Sequence, residues 1–426
     1  MKNERSWSGD GLPNHAVDAR VADTFQRAIS LFPEEWAAAA ARKRTVDVVN
    51  ELANVSEGAY NHNAASLLAA ASAWAYSDNE EVARMMEKRG FSNVCVTFAF
   101  ENQGLLMDSL AHVIQSRDGR VVILSFRGSQ LHPVINWLAN INIKPDPFHA
   151  AGRVHGSFYT GILSVWPRVR EHLLGAKNGE SVCRVWQRTA PSKFCDPDFV
   201  WGDTPGTCGE VPSLREQDPR RVHRAKLRSV VGALEEALRF KLEALYITGH
   251  SLGGALAVLA AALIYSDEEL KELRPLLRGI YTFGQPMVGD RAFAKTFERQ
   301  FGSKLFRHIY NRDVVPHMPP RSAGRFEHFG QEYRSTPAGW ISNGRPIARQ
   351  VRFAIPALAG SLASWFADQF PIGPLLPDGR SWSWVKRRLL PPILRKPHEF
   401  LYSMTDHLPI HYLRASRTVL PGSEFL

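Results

Sequence analysis

The chain has 426 residues, of which 44% are hydrophobic and 22% are charged, and its mean hydropathy is −0.22. This composition is ordinary for a soluble globular protein and allows a substantial buried core. The 52 lysines and arginines exceed the 42 aspartates and glutamates, leaving a net charge of +10 that favours negatively charged surfaces. Because no nucleic-acid-binding motif occurs, we expect this charge to serve contact with lipid, or simple solubility, and we expect no nucleic-acid partner.

The cysteines argue against two kinds of stabilised site. Cys95, Cys183, Cys195 and Cys208 are too few for a disulfide framework in a chain of this length, and no C-x-x-C pair indicates structural zinc. One local disulfide among the last three stays open, with reduced thiols as the default.

The first twenty residues lack the apolar segment and the cleavage pattern of a secretory signal peptide. We therefore expect a cytoplasmic protein with peripheral membrane contact, or one that is exported by a signal-independent route.

Ala-rich stretches at 36–43 and 64–76 predict helices in the first part of the chain, and we predict a helical N-terminal extension over residues 1–60 and one α/β domain over 61–426. Strand-like runs recur in that domain and alternate with amphipathic segments, which predicts a mostly parallel central sheet with flanking helices. The runs span 95–100, 111–116, 121–126, 244–248, 279–283 and 305–310.

Two insertions interrupt this alternation. Residues 176–224 are polar and rich in Pro, Gly and Cys, which predicts a surface insertion. Residues 351–397 are apolar, aromatic and interrupted by proline. Three interpretations of this second insertion stay open: a cap over the site, an interfacial amphipathic element, or a membrane span, which the acidic Asp368 disfavours.

An apolar stripe of helical spacing follows the third strand-like run. Its residues are Val134, Ile135, Trp137 and Leu138. The spacing fits either a core helix or a lid that covers a binding site.

The sequence LYITGHSLGGALA around Ser251 combines a strand, a sharp turn and a helix of small residues. This is the context in which a G-x-S-x-G motif presents a nucleophilic serine, and the flanking glycines are needed because the turn is crowded. A plain Gly-rich turn before a buried helix is the alternative. We predict that Ser251 is a nucleophile.

A serine hydroxyl needs a base, and the base needs an orienting acid. Asp313 is the preferred acid because it follows a strand-like run, where parallel sheets place their sites, whereas Asp290, Asp368 and Asp378 lack that position. For the base, His407 comes late in the chain and precedes a predicted helix, and His411 lies four residues further on. His308, His317, His328 and His398 are weaker candidates.

The chain resembles the class 3 lipase family, on motifs spread between about residues 60 and 415. They are AYSD (75–78), VVILSFRGSQ (121–130), NW (136–137), VHGSF (154–158), ITGHSLGGALA (247–257), YTFGQPMVGD (281–290), NRDVVPHMPP (311–320), EHFGQEY (327–333) and DHLPIHYL (406–413). The resemblance implies an α/β-hydrolase fold and a triad of Ser251, Asp313 and His407, with Tyr412 completing the histidine motif. It further implies that Ser129 and the backbone N–H of Leu252 form the oxyanion hole, and that the 134–138 stripe is the lid.

The resemblance implies a serine ester hydrolase that acts on lipid esters through an acyl-enzyme, foremost a triacylglycerol lipase, without metal or organic cofactor. Phospholipase A1 or lysophospholipase activity, and short-chain carboxylesterase activity, are the alternatives within hydrolases. A non-enzymatic lipid-binding membrane protein is the alternative from another class. The two insertions depart from the family pattern, so the acyl chain, the head group and the oligomeric state stay open.

Overall fold

The structure is a computed structural model that describes residues 48–77, 79–87, 95–100, 109–116, 118–128, 145–189, 241–337, 339–342, 350, 403 and 405–418. Several predicted features lie outside these residues and stay predictions. They are the extension up to residue 47, Ser129, the stripe residues Val134, Ile135, Trp137 and Leu138, the first insertion beyond residue 189, and the whole of the second insertion, 351–397.

The described residues form helices and strands that alternate as the sequence predicts. The helices are α1 (Val48–Asn54), α2 (His62–Trp74), α3 (Asn79–Glu87), α4 (Gly156–Lys177), α5 (Val182–Thr189), α6 (Leu252–Ser266), α7 (Arg291–Phe301) and α8 (Pro409–Thr418). The strands are β1 (Cys95–Phe100), β2 (Ser109–Gln115), β3 (Val121–Phe126), β4 (Pro145–Pro147), β5 (Arg153–His155), β6 (Ala244–His250), β7 (Leu277–Phe283), β8 (Leu305–Ile309), β9 (Gln331–Thr336) and β10 (Gly339–Ser342).

One sheet holds eight of these strands in the order β1-β2-β3-β6-β7-β8-β9-β10. The central strands β3, β6, β7, β8 and β9 are parallel to one another, whereas β1–β2, β2–β3 and β9–β10 are antiparallel pairs. The predicted α/β-hydrolase architecture, with a mostly parallel sheet and flanking helices, is confirmed.

Helices cover both faces of the sheet because the side chains of a buried strand alternate between them. In β6, Tyr246 and Thr248 donate hydrogen bonds from one face to backbone oxygens of Leu52 and Leu68, at 2.8 and 3.2 Å. The intervening Leu245 and Ile247 belong to the apolar core that includes most of α6 and the buried side of α4. The sheet is therefore buried on both faces, which explains the continuous apolar runs in the sequence.

Parallel pairing brings the ends of the central strands to one edge of the sheet. Phe126 of β3 pairs with Gly249 of β6, and His250 of β6 pairs with Phe283 of β7. The Phe126–Gly128, GHSLGG and TFGQ segments thus leave the sheet side by side. This edge is where α/β sheets place their binding sites.

The structure differs from the sequence prediction at β9 and β10, which we did not predict. The β9 sequence QEYRST offers little apolar pattern, and Glu332 at its second position is fully buried. Its carboxylate pairs with the guanidinium of Arg307 at 3.3 Å, which is also buried. Glu332 thus occupies a buried position where an apolar residue is usual, and the ion pair offsets the burial of its charge. The apolar periodicity of the sequence cannot reveal such a strand.

The beginning of the first predicted insertion is also more buried than expected. Helix α5 lies inside 176–224, and both Val182 and Val185 are fully buried. The backbone N–H of Val182 donates to Oε1 of Gln115 in β2 at 3.0 Å. Valines on one helical face explain why this part packs against the sheet instead of extending over the surface.

Residues 48–60 contact the sheet as well, although we predicted them as part of an extension. The ring of Tyr60 stacks on Tyr333 of β9 at 4.1 Å, and its hydroxyl lies 3.0 Å from Nε2 of His308 in β8. In the part of the chain that the structure describes, no helix has both the length and the apolar character that crossing a bilayer requires.

Candidate active site

Ser251 occupies a sharp turn between β6 and α6, with φ = 57° and ψ = −127°. A non-glycine residue at positive φ costs about 1–3 kcal/mol and persists where the surroundings impose it. The flanking glycines are required as predicted: a Cβ at Gly249 or Gly253 would lie 2.2 Å from a carbonyl oxygen, that of Gly253 or Phe126 respectively. The strand, turn and helix thus hold Ser251 in a fixed, strained position.

Ser251 lies at the shared edge of the central strands and is 3% exposed. Its backbone N–H donates to the carbonyl oxygen of Phe283, at the end of β7, at 2.9 Å. Leu252 is the first residue of α6, so its N–H is among those that a helix leaves without an intrahelical acceptor. Gly128, the last described residue before Ser129, lies against this turn, because a Cβ there would be 3.2 Å from Cβ of Ser251.

Asp313 lies four residues after β8 and is fully buried. Its Oδ1 accepts the backbone N–H of Val315 at 2.9 Å, and its Oδ2 accepts hydrogen bonds from His407 and Tyr412. A buried carboxylate needs such donors to offset the loss of water. Burial and then the nearby charge of Asp313 raise the pKa of Tyr412 well above its ordinary value, so the phenol stays a donor.

His407 is the residue that joins Asp313. Its Nδ1 lies 2.7 Å from Oδ2 of Asp313, and the two residues are 94 positions apart in the chain. Because a carboxylate only accepts, Nδ1 carries the hydrogen, and the lone pair of the neutral ring is on Nε2. This tautomer is the one that a general base needs.

His411, the other candidate base, and Asp406, the neighbour of His407 in the chain, have different contacts. The ring of His411 stacks on Tyr310 with centroids 5.1 Å apart, and burial lowers its pKa. Asp406 accepts hydrogen bonds from Nδ2 of Asn311 and the backbone N–H of Arg312, at 2.9 and 3.2 Å. Asp406 therefore attaches the His407 segment to the loop that carries Asp313.

The structure brings the three predicted triad residues to one place, but it contains no hydrogen bond between Ser251 and His407. Within the described part of the chain, Nε2 of His407 is buried and has no hydrogen-bond partner. Such bonds are often loose without substrate and tighten in the catalytic complex. The base nitrogen is therefore free to accept a proton.

Two residues at the site were missed by the sequence argument. Gly284, at φ = 60°, approaches so closely that a Cβ would lie 2.9 Å from both Oδ2 of Asp313 and Nδ1 of His407. His250 contacts His407, with ring centroids 4.6 Å apart. In the sequence, Gly284 is only a glycine just after a strand, and His250 occupies the variable position of G-x-S-x-G. Their roles can be recognised only from these contacts. Among the described residues, no group of three or more His, Cys, Asp or Glu is placed to hold a metal ion.

The chain is similar in sequence to known lipases. A profile of the family described as Lipase (class 3) matches residues 222–323, a range that contains Ser251 and Asp313. Triacylglycerol lipase OBL1 of Nicotiana tabacum is 28% identical over 332 residues, which cover 71% of this chain and 56% of that protein. A lipase of Rhizomucor miehei is 39% identical over 122 residues, covering 29% of this chain and 31% of that protein.

Among solved structures, lipase II from Rhizopus niveus has a TM-score of 0.40 at 22% identity, over 64% of this chain and 80% of that chain. This chain spans about half the length of the tobacco relative and less of the Rhizomucor sequence. The family profile and both relatives point to lipases. Residues 222–323 of this chain match the class 3 lipase family, and the chain is similar to lipases.

Proposed function

We propose that this protein is a serine ester hydrolase that acts on lipid esters, foremost a triacylglycerol lipase, with Ser251 as nucleophile, His407 as base and Asp313 as orienting acid. The observation that carries the proposal is the buried hydrogen bond from His407 to Asp313, at 2.7 Å, beside a serine in a strained elbow. The base, the acid and the nucleophile thus share one edge of the sheet, although they come from three distant segments.

The reaction follows from the tautomer of His407. Its Nε2 removes the hydroxyl proton of Ser251 while Oγ forms a bond to the ester carbonyl carbon. The tetrahedral intermediate collapses, the alcohol leaves with the proton from His407, and Ser251 is acylated. Water then gives a proton to Nε2 while its oxygen forms a bond to the acyl carbon. The bond from that carbon to Oγ breaks, Nε2 returns the proton to Oγ, and the carboxylic acid is released.

The oxyanion of each intermediate needs fixed donors. Leu252 supplies a backbone N–H at the start of α6, where the helix dipole adds a favourable partial charge. The second donor that we propose is Ser129, which follows Gly128 in the sequence. In comparable enzymes, loss of one such donor costs about 2.7–4 kcal/mol of transition-state stabilisation.

The substrate class rests on the family relatives. The tobacco protein is called a triacylglycerol lipase, and the Rhizomucor protein is called a lipase. A glyceride carrying an apolar acyl chain is accordingly the substrate that we propose.

A second candidate substrate, an anionic phospholipid, is favoured by a cluster of arginines on the described surface. A cavity of about 310 Å³ at the start of α7 is lined by Arg153, Arg291 and Arg325, together with Phe326. The three arginines are exposed. Asp290 also lines the cavity, but one of its carboxylate oxygens accepts the N–H of Phe293. This surface suits peripheral contact with anionic lipid, which we propose as the partner surface.

The reaction is tested by hydrolysis of p-nitrophenyl esters of increasing chain length by the wild type and by Ser251→Ala. We expect Ser251→Ala to lose activity by a factor on the order of 10⁶ with folding unchanged. Unchanged hydrolysis by this variant would disprove the mechanism. Rates on triglyceride and on anionic phospholipid emulsions then separate the two substrate candidates.

Lipid contact is tested by co-sedimentation with vesicles that contain anionic phospholipid. Arg291→Glu should bind more weakly than the wild type, and the loss should shrink in high salt. Arg299→Glu is the matched control, since it makes the same charge change on an exposed residue in the last turn of the same helix. Equal losses for the two variants would mean that the cavity is not the contact surface.

A further inference from the structure

His250 is a buried histidine that the triad reaction does not use. It precedes Ser251 in the chain, is 2% exposed and makes two side-chain hydrogen bonds. Its Nε2 lies 2.7 Å from the main-chain oxygen of His407, and its Nδ1 lies 2.9 Å from the hydroxyl oxygen of Tyr76. Each ring nitrogen thus has one partner.

These partners determine where the hydrogens are. A carbonyl oxygen only accepts, so Nε2 of His250 carries the hydrogen and donates it to His407. Nδ1 is then the acceptor, and the hydroxyl of Tyr76 donates to it. The direction of both bonds follows from the chemistry of the partners.

The hydrogen bond from His250 to His407 directly connects the turn that carries Ser251 with the segment that carries the base. His250 is covalently attached to the nucleophile, and the oxygen that it holds belongs to the base itself. His407 ends a short helical turn, Thr405–His407, and its ring orientation depends on where the backbone of that turn lies. The side-chain hydrogen bond from His407 to Asp313 orients the ring but does not involve Ser251 or its neighbour His250.

We propose that His250 is a positioning residue, whose hydrogen bond to the main-chain oxygen of His407 sets the position of the base relative to Ser251. The inference rests on the proposed ester hydrolase function for its kinetic consequence. It does not depend on that function for its structural consequence, which is the placement of His407 in the free protein.

The electrostatic surroundings of His250 are consistent with this role. Burial, and then the nearby ring of His407, hold the pKa of His250 well below its ordinary value. His250 therefore stays neutral while His407 takes up a proton in the reaction. Two cationic rings with centroids 4.6 Å apart would oppose that step.

The chain supplies a matched control in His308. It is fully buried, its Nε2 lies 3.0 Å from the hydroxyl oxygen of Tyr60, and its Nδ1 lies 3.1 Å from a main-chain oxygen. That oxygen belongs to Thr282 and not to a triad residue. Replacing His308 therefore removes packing and hydrogen bonds similar to those lost when His250 is replaced, but it leaves the hydrogen bond to His407 intact.

The experiment compares His250→Leu, His250→Gln and His308→Leu. Misplacing a catalytic group by about 1 Å costs on the order of 10²-fold, so we expect kcat of His250→Leu to fall by roughly 10- to 100-fold with KM nearly unchanged. His250→Gln keeps an N–H at the position of Nε2 and should recover most of kcat. His308→Leu should lower the melting temperature with kcat close to that of the wild type.

A second readout needs no substrate. The Nδ1–H proton of His407 gives a downfield NMR resonance that reports its hydrogen bond to Asp313. We expect the resonance to shift or broaden in His250→Leu and to return in His250→Gln. Equal kcat losses in His250→Leu and His308→Leu, or no recovery in His250→Gln, would overturn the proposal. A wild type that hydrolyses no ester would refute the proposed function instead, and the resonance alone would then decide the role of His250.

Discussion

The phenolic hydroxyl of Tyr412 donates a hydrogen bond to Oδ2 of Asp313, the same oxygen that accepts Nδ1–H of His407. Tyr412 is itself buried, and its hydroxyl oxygen also accepts the backbone N–H of Tyr310 at 3.2 Å. The tyrosine thus connects the end of β8, the acid and helix α8. It holds the carboxylate in the orientation in which it meets the imidazole.

Replacing Tyr412 by phenylalanine should therefore affect both stability and turnover. A hydrogen bond to a charged group contributes about 1.5–3 kcal/mol, so the free energy of unfolding should fall by that order in urea denaturation. We expect kcat to fall by about tenfold, because Asp313 becomes less well oriented. Tyr265→Phe is the control, because the ring of Tyr265 packs on Phe301, away from the site. Loss of the Tyr265 hydroxyl should leave kcat unchanged. Wild-type turnover in Tyr412→Phe would mean that the tyrosine only stabilises the fold.

Asp313 and Asp406 should differ sharply when each is changed to asparagine. An amide at Asp313 offers an N–H to Nδ1 of His407 and favours the wrong tautomer, which in a comparable triad costs about 10⁴-fold in kcat. Asp406 contacts Asn311 and the N–H of Arg312, so Asp406→Asn should cost only a few-fold through a looser loop. Steady-state kinetics of the two variants measure this difference, and equal losses would contradict the assignment of the acid.

Gly284 should not tolerate a side chain, for two separable reasons. Its positive φ strains any L-residue by about 1–2 kcal/mol, and its Cβ would also collide with Asp313 and His407. Gly179 has φ = 86° but open space around a Cβ, whose nearest atom would be Cγ of Lys241 at 4.0 Å. Both Gly284→Ala and Gly179→Ala should lower the melting temperature. Only Gly284→Ala should lose activity, on the order of 10²-fold, and an active Gly284→Ala would show that the pair can shift without loss.

The fold should lose stability in mild acid because several histidines are buried in the neutral form. Burial lowers the pKa of His112 and His172 to about 4, and that of His155 and His308 to about 3. An unfolded histidine titrates near pH 6.5, so between that pH and the folded values the unfolded state binds more protons. Stability is therefore fully present above about pH 6.5 and decreases as the pH falls towards 4.

Each of these histidines contributes up to about 1.4 kcal/mol per pH unit within that window. Urea denaturation at intervals from pH 7.5 to 5 should show the free energy of unfolding falling steeply. The slope should be smaller in His308→Leu, which removes one of the titrating groups. A free energy of unfolding that stays constant down to pH 5 would contradict the prediction.

The sequence by itself determined the features that depend on neighbouring residues. The strand, turn and helix around Ser251 could be predicted because apolar runs, glycines and small residues there act over a few positions. The position of Asp313 just after β8 could be predicted for the same reason. Strand β9 could not, because the burial of Glu332 is offset by ion pairs with Arg307 on the neighbouring strand and with Arg334 on its own strand.

Tertiary structure alone decided which groups meet. His407 and His411 are equivalent in local pattern, and only the first reaches Asp313, across 94 residues of sequence. The close approach of Gly284 to that pair and the bond from His250 to the oxygen of His407 likewise join segments that are distant in the chain. Local sequence determines backbone conformation through propensity and sterics. Side-chain partners depend on how the sheet brings the ends of its strands together, which no single stretch of sequence specifies.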